Sequence, residues 1–252
     1  SLFPPKPSPM RSLSAEAKHE IGSWTKHADR YQDAAGLDYH ELLRASTLPD
    51  AHAIAVDLPR SDALRLHATA SDRPIKQPLE NLLSAWCIFN PEVGYVQSMN
   101  VVAALLLQLL DGDEPRAFWC FAALISQLPP RFYSRAPTAL LGFWVEAELL
   151  VLLARDWLGL RNLRVALLQI APKWLLEYFV GTLPLPTLVN AWGSTLAAAT
   201  DDAARPPTLH LRIALALLQL RRQQLLDFDT DAPAPQHAAS ELLQPTQPRA
   251  VQ

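Results

Sequence analysis

The chain has 252 residues, 50% of them hydrophobic and 19% charged, and this length fits one large domain or two lobes that share a core. Its 22 basic and 25 acidic residues give a formal net charge of -3, which excludes the strongly basic surface that nucleic-acid binding requires. With 8 glycines and 22 prolines, the composition disfavours sandwiches, barrels and glycine-rich phosphate loops, and it favours helices with sharp starts and stops.

The two ends of the chain differ in composition from its centre. Residues 1–12 are rich in Pro, Ser and basic side chains and lack an apolar core, so they predict a mobile tail rather than a signal peptide. Residues 229–252 have the Pro, Gln and Ala bias of a mobile C-terminal tail. We therefore expect one folded domain over residues 13–228, in which residues 14–46 have only a weakly helical pattern.

The segment Ile54–Arg60, with the sequence IAVDLPR, predicts the start of a helix. Pro59 suits a first helical turn and disfavours a helix interior, which makes Asp57 the expected N-cap. Arg60 would then lie in the opening turn and point outward from the helix mouth. Taken alone, the segment is also explained by an ordinary helix cap followed by a solvent-exposed arginine.

Apolar residues at spacings of three and four mark the next helix clearly. The helix begins near Pro78, which suits a first turn, and it ends at Asn90-Pro91. The spacing predicts one apolar face that packs on the core, made of Leu79, Leu82, Leu83, Trp86 and Cys87.

The stretch after this helix reads NPEVGYVQSMN, from Asn90 to Asn100. Gly94 permits a tight backbone, and Gln97 is expected to open a helix that runs to Leu110. Because an apolar run follows Gln97 at once, its amide must either point outward or find hydrogen-bond partners inside. Tyr95 is expected to be a packing aromatic with a bonded hydroxyl, and Gln97 alone is also explained as an ordinary boundary glutamine.

Helical patterns continue to the end of the expected domain. Asp113 can cap a helix that continues to about Gln127. Further helices are expected at Thr138–Ala154, Leu163–Ile170, Lys173–Gly181, Leu185–Ala199 and Thr208–Phe228. The last of these has a predicted buried stripe of Leu209, Ile213, Ala216, Leu217 and Leu220. Since the sequence has neither sustained period-two alternation nor a repeat of fixed length, it predicts a compact all-α fold with no sheet.

The sequence lacks motifs for membrane spanning and for common catalytic chemistry. Its longest uncharged runs, Val93–Leu110 and Tyr178–Thr200, contain polar residues or prolines, so we expect buried helices and no direct membrane insertion. It has no Walker A loop, no G-x-G-x-x-G, no G-x-S-x-G and no zinc-ligand spacing. Cys87 and Cys120 lie in apolar sequence and predict two buried thiols, although a disulfide between them stays open.

One arginine and one glutamine remain as candidates for chemistry by position and charge. A GTP-hydrolysing site uses an arginine to neutralise charge on the phosphoryl oxygens and a glutamine to orient the attacking water. Neither task requires proton transfer by the side chain. Arg60 and Gln97 therefore fit a role that searches for nucleophiles, metals or general bases would overlook.

Together, the two segments resemble a specific family, the TBC-domain GTPase-activating proteins for Rab GTPases. IAVDLPR is similar to the family's I-x-x-D-x-x-R pattern, and GYVQSMN is similar to its Y-x-Q motif. The flanking sequences LENLLSAWCIF, DEPRAFWCFAALI and KWLLEYFVGTLPLPTLVNAW also resemble the family. The resemblance covers about residues 20–225, and it implies an all-α fold of two helical lobes.

The resemblance also implies a mechanism with two finger residues. Arg60 would enter the Rab active site in trans, and Gln97 would take over the positioning of the water from the GTPase's own glutamine. The supporting positions implied are Ile54, Asp57, Tyr95 and Asn100, with Asp57 holding the Arg60 segment. The chain would then be an activator rather than an enzyme in its own right, with no cofactor of its own.

The implied partner is a Rab-family small GTPase in its GTP form, which would itself bind the GTP and the Mg²⁺. The role would lie in vesicle trafficking. We expect a cytoplasmic protein that reaches endomembranes peripherally, through the lipid-anchored partner.

Three departures from the family pattern leave alternatives open. Ser98 stands where the family usually has glycine, and Ser61-Asp62-Ala63 keeps only the first residue of the family's usual run after the arginine. The family's Trp-Asp pair reads Trp192-Gly193. One alternative is therefore a TBC-fold module that binds a GTPase or another partner without catalysis. Another is a helical scaffold of unrelated lineage that carries both motifs by coincidence.

Overall fold

The computed structural model describes residues 13–44, 50–63, 75–135, 139–200, 208–229 and 233–244. Within these ranges, side chains are described everywhere except at residues 60–63 and 233–237. The expected N-terminal tail, residues 1–12, lies outside the described residues.

The described residues form twelve α-helices and no strand, which confirms the prediction of an all-α fold. In chain order the helices are α1 (Ala15–Ala35), α2 (Tyr39–Leu43), α3 (Ala51–Ala63), α4 (Lys76–Phe89), α5 (Met99–Leu109), α6 (Glu114–Ser126), α7 (Leu141–Leu158), α8 (Arg164–Ala171), α9 (Leu185–Ala199), α10 (Leu209–Leu220), α11 (Arg222–Leu226) and α12 (Pro233–Leu243). A short π-helical segment, Pro172–Leu176, follows α8 directly.

The helices pack in two lobes. The first lobe contains α1 to α6 together with α9, which returns from later in the chain to pack on α1 and α6. In this lobe the indole of Trp24 lies against that of Trp192, with ring centroids 6.2 Å apart. The second lobe contains α7, α8 and α10 to α12. Between α6 and α7, the Tyr133 hydroxyl donates to the carbonyl of Leu176, which follows α8, at 2.6 Å.

Several helix boundaries follow the local signals that predicted them. The Asp113 side chain accepts a hydrogen bond from the Arg116 N–H at 3.1 Å and caps α6. Helix α4 ends at Asn90, as the Asn-Pro pair predicts. Among the described residues, no helix has both the length and the apolar character needed to cross a membrane.

The prediction of an α-helix at Lys173–Gly181 is wrong, because this stretch is a short π-helical segment followed by a turn. After the π-helical segment the chain turns, and Tyr178 and Phe179 have positive φ angles of 49° and 64°. Such angles are unfavourable for aromatic residues. Both rings are nevertheless buried, at 5% and 2% exposure, and this burial offsets the backbone strain.

The expected helix at Thr208–Phe228 is two helices. The chain breaks at Arg221, between α10 and α11. The break brings Leu225 into full burial and lets the Arg222 Nε donate to the Leu158 carbonyl at 2.6 Å, at the end of α7. The buried face of α10 also differs from the predicted stripe, because Leu220 is 81% exposed. The buried residues of α10 are His210, Leu211, Ala214 and Leu218.

The expected C-terminal tail, residues 229–252, is wrong over the described residues 233–244. Residues 233–243 form α12, which packs on α8. Ala239 and Leu243 are buried, at 0% and 1% exposure, so apolar burial holds this segment on the second lobe.

Candidate functional site

Helix α3 carries the first motif and presents one apolar face to the core. Ile54 and Leu58 are 1% and 2% exposed, and α3 packs on α4 and α5. The opposite face includes Val56, which is half exposed. The helix therefore lies at the surface of the first lobe, and Ile54 contributes by anchoring it to the core.

The predicted N-cap role of Asp57 is wrong. Helix α3 begins at Ala51, six residues before Asp57, and it includes Pro59 in its interior. Pro59 leaves the Ala55 carbonyl without its usual i+4 donor, but burial of the apolar face keeps the helix continuous through it. Asp57 is therefore a mid-helix residue, buried at 6% exposure.

The second motif lies on the loop between α4 and α5, residues 90–98, which we call the glutamine loop. Gly94 has a φ of +61°, and its carbonyl accepts the Trp86 indole N–H at 2.8 Å. Gln97 precedes α5 by two residues instead of opening it, and its side chain is exposed. Of the two settings considered for this amide, the structure thus shows the outward one.

A hydrogen bond joins the two motifs. The Tyr95 hydroxyl donates to the Asp57 carboxylate at 2.7 Å, and Tyr95 itself is 8% exposed. Tyr95 is thus a packing aromatic with a bonded hydroxyl. Because the acceptor is a buried carboxylate, this contact is stronger than a bond between neutral groups. It ties the middle of α3 to the glutamine loop.

Ser98 and Asn100 shape the end of the glutamine loop. Ser98 has a φ of +88°, in the left-handed region that favours glycine. Its N–H donates to the Asn100 Oδ1 at 3.1 Å, and Asn100 is buried at 4% exposure. Asn100 therefore supports the turn that Gln97 occupies. The serine at this position costs backbone strain, which the glycine expected from the resemblance would avoid.

The structure places the Arg60 backbone in the last turn of α3, one turn after Asp57. The side chains of residues 60–63 lie outside the described part of the chain. The direction of the Arg60 guanidinium, its distance from Gln97 and the environment of Ser61-Asp62-Ala63 therefore stay predictions.

Sequence reasoning missed two residues that contact the glutamine loop, Asp50 and Arg135. The Asp50 carboxylate accepts the Tyr95 backbone N–H at 2.8 Å and forms an ion pair with Arg135. The Arg135 Nε donates to the Val93 carbonyl at 3.1 Å. Asp50 directly precedes α3, which is a weak signal, whereas Arg135 carries no local signal, because it lies 85 residues from its partner.

Both cysteines are free and buried. Burial, followed by the nearby Asp50 carboxylate, raises the pKa of the Cys87 thiol to about 12. Burial also raises the pKa of Cys120 to about 12. Because both cysteines are free, the structure shows two thiols rather than a disulfide. With raised pKa values they stay protonated at neutral pH and are poor nucleophiles.

At Gly193, the position where the sequence departs from the family's Trp-Asp pair, the Glu20 side chain lies close to the glycine. A Cβ atom on Gly193 would lie 1.7 Å from the Glu20 Oε1 and 2.7 Å from its Cδ. The Glu20 side chain thus fills the space in which a residue at 193 would project. A carboxylate at 193 would also face a like charge at short range.

Comparisons with known proteins agree with this architecture. Residues 13–226 match the family model described as the Rab-GTPase-TBC domain. The chain is 31% identical over 223 residues to TBC1 domain family member 2A from Mus musculus, which covers 84% of this chain and 23% of that protein. It is 29% identical over 197 residues to growth hormone-regulated TBC protein 1 from Homo sapiens. That alignment covers 75% of this chain and 55% of the human protein. The chain therefore spans less than two thirds of the length of either relative.

Two solved structures share the fold. The Chlamydomonas flagellar RabGAP TBC domain superposes with a TM-score of 0.67 at 22% identity, covering 94% of this chain and 78% of that one. The Ypt/Rab-GAP domain of Gyp1p superposes with a TM-score of 0.60 at 19% identity, covering 95% of this chain and 80% of that one. The family match excludes the alternative of a helical scaffold of unrelated lineage.

Proposed function

This chain belongs to the Rab-GTPase-TBC domain family, and we propose that it accelerates GTP hydrolysis by a Rab-type small GTPase. In this proposal Arg60 enters the partner's active site and neutralises charge that develops on the phosphoryl oxygens. Gln97 orients the attacking water. The partner binds GTP and Mg²⁺, and it must be in its GTP form. The chain itself supplies two side chains and turns over no substrate of its own.

One observation carries this proposal. The bond from the Tyr95 hydroxyl to Asp57, 2.7 Å long, joins the helix that bears Arg60 to the loop that bears Gln97. Two groups that act on one phosphate need a fixed separation, since a misplacement of about 1 Å can cost about 100-fold in rate. A buried, charge-assisted contact between their supporting segments supplies that rigidity.

The proposed chemistry is electrostatic and positional. An arginine supplied in trans is worth about 10³ to 10⁵ in the rate of GTP hydrolysis, which corresponds to about 4–7 kcal/mol of the activation barrier. The exposed setting of Gln97 suits a residue that must leave solvent and enter a partner's site. In this proposal the protein is cytoplasmic and acts at endomembranes, which it reaches by binding the lipid-anchored Rab.

A second candidate is a TBC-fold module that binds a GTPase without accelerating hydrolysis. The strained Ser98, with its φ of +88°, favours this candidate because a side chain stands directly beside Gln97. It predicts GTP-dependent binding with an unchanged rate of hydrolysis. If the wild type is inactive for this reason, Ser98→Gly should restore acceleration.

The experiment is single-turnover GTP hydrolysis by a panel of Rab GTPases, with increasing concentrations of this protein. We expect at least one Rab to be accelerated, and Arg60→Ala and Gln97→Ala each to remove most of the acceleration. Arg155→Ala is the matched control, because its guanidinium is half exposed and lies in the second lobe, at the far end of α7. The proposal fails if no Rab responds, or if Arg60→Ala leaves the acceleration intact.

A further inference from the structure

The glutamine loop needs more than the Tyr95 hydroxyl to hold Gln97 in place. The bond to Asp57 fixes one side chain, whereas Gln97 is two residues farther along an irregular backbone. The direction of its amide depends on the path of that backbone. The groups that hold the main chain of residues 93–95 therefore help to set where Gln97 points, together with the turn at Ser98 and Asn100.

The Asp50 carboxylate is one of these groups. Its Oδ2 accepts the Tyr95 backbone N–H at 2.8 Å and lies 3.6 Å from the Cys87 Sγ. Its own carbonyl accepts the Ile54 N–H at 3.0 Å, which makes Asp50 continuous with the first turn of α3. One carboxylate thus binds the start of α3 to the glutamine loop, at a second point besides Asp57.

Arg135 is the other group. It lies between α6 and α7, pairs with Asp50, and donates from its Nε to the Val93 carbonyl at 3.1 Å. A Cβ atom at Gly94 would lie 1.6 Å from the Arg135 guanidinium. Gly94 is therefore favoured by its φ of +61°, and a larger residue would also have to move the Arg135 side chain.

Three consecutive residues of the loop are held in this way. The Val93 carbonyl is bound by Arg135, the Gly94 carbonyl by the Trp86 indole, and the Tyr95 N–H by Asp50. The side chains of Arg135 and Asp50 are 39% and 24% exposed, so the pair is more shielded than a free surface ion pair. Each of its bonds to the loop has an ionised partner, which makes it stronger than a neutral contact.

We propose that Asp50 and Arg135 are positioning residues for Gln97, acting as an ion-pair clamp that fixes the main chain of the glutamine loop relative to α3. This inference rests on the proposed function. Arg135 is a positioning residue rather than a second finger, because its guanidinium is committed to Asp50 and to the Val93 carbonyl. The clamp links three separate segments of the chain.

The test compares Asp50→Asn and Arg135→Met with the wild type. Asn keeps an oxygen that can accept the Tyr95 N–H but removes the charge, and Met keeps an apolar stem but removes the guanidinium. Arg116→Met is the matched control, because it breaks an exposed ion pair with Asp113 on α6. Thermal melting shows that each variant is folded before any other measurement is interpreted.

The first measurement is hydrogen exchange at the glutamine loop, which does not depend on any GTPase. Exchange of the Tyr95 amide should become about 10-fold faster or more in Asp50→Asn and Arg135→Met, and stay unchanged in Arg116→Met. The inference is overturned if Tyr95 keeps its protection in both clamp variants.

The second measurement is single-turnover hydrolysis by a responsive Rab at saturating protein. The maximal rate should fall by about 10-fold to 100-fold, while the protein concentration that gives half the effect changes by less than about 2-fold. Arg135→Lys, which keeps the charge but loses the Nε contact, should recover part of the rate. An inactive wild type refutes the proposed function, whereas an active wild type with fully active clamp variants refutes the clamp.

Discussion

Replacing Tyr95 with phenylalanine removes a single oxygen atom from the contact between the two motifs. The ring stays in its buried position, at 8% exposure, and the Asp57 carboxylate loses a donor at 2.7 Å. Because Asp57 is itself only 6% exposed, water cannot easily replace the lost hydroxyl. The change therefore tests the coupling between α3 and the glutamine loop with little disturbance of packing.

The expected loss of stability in Tyr95→Phe follows from the negative charge on the Asp57 carboxylate that accepts the hydrogen bond. A hydrogen bond to a charged group contributes about 1.5–3 kcal/mol, so Tyr95→Phe should lower the free energy of unfolding by about that amount. For a domain of this size, the melting temperature should fall by about 3–12 °C. We also expect the maximal rate of stimulated GTP hydrolysis to fall about 10-fold, because the Gln97 backbone loses one of its supports.

Urea denaturation and single-turnover hydrolysis measure the two effects, and a double-mutant cycle with Asp57→Asn assigns them to the bond. The coupling energy between Tyr95→Phe and Asp57→Asn should be about 1 kcal/mol or more. Tyr133→Phe is the matched control, because it removes a buried hydroxyl that donates to the neutral Leu176 carbonyl at 2.6 Å. It should destabilise by about 0.5–1.5 kcal/mol and leave the rate unchanged.

A coupling energy near zero would refute the reasoning, since it would mean that the hydroxyl and the carboxylate act independently. Full retention of the stimulated rate in Tyr95→Phe would refute the link from this contact to Gln97, even if the stability falls as expected.

Three further predictions concern the strain, the packing and the thiols. Ser98→Gly should stabilise the fold by about 0.5–1 kcal/mol without lowering the stimulated rate, because glycine adopts a positive φ freely; chemical denaturation measures this, and a loss of stability would contradict it. Gly193→Asp should destabilise the protein through repulsion by Glu20, and adding Glu20→Arg should recover much of the lost stability. Thermal melting of the single and double variants checks this. Equal losses of stability in both variants would contradict it. Cys87 and Cys120 should react with a thiol reagent at neutral pH only after denaturation, because burial raises the pKa of each to about 12; fast labelling of the folded protein would contradict this.

The sequence predicts helices well where a local signal marks their ends. Helix α6 follows its Asp113 cap, and α4 stops at Asn90-Pro91, because capping and proline geometry act within a few residues. The all-α class follows from the helical spacing of apolar residues along most of the chain.

The sequence misleads where tertiary packing overrides a local preference. Pro59 predicts a helix start, but the buried Ile54 and Leu58 keep α3 continuous through it. The predicted buried stripe of α10 is wrong because apolar residues lie on nearly every side of that helix. Periodicity alone therefore cannot select the side that packs on the core.

At the candidate site, too, the sequence predicts some features and misses others. The motif residues Asp57, Tyr95 and Gln97 can be picked out from short sequence patterns, but their contacts cannot. The bond between Tyr95 and Asp57 spans 38 residues, and the ion pair between Arg135 and Asp50 spans 85. Such long-range contacts depend on how the helices pack, which no local pattern encodes.

The most direct test of the proposed mechanism uses a responsive Rab whose own water-positioning glutamine is replaced with alanine. If Gln97 supplies that function, the wild-type protein should still accelerate GTP hydrolysis by this altered Rab, and Gln97→Ala should not. Loss of acceleration with the wild-type protein, or acceleration that survives Gln97→Ala, would contradict the account.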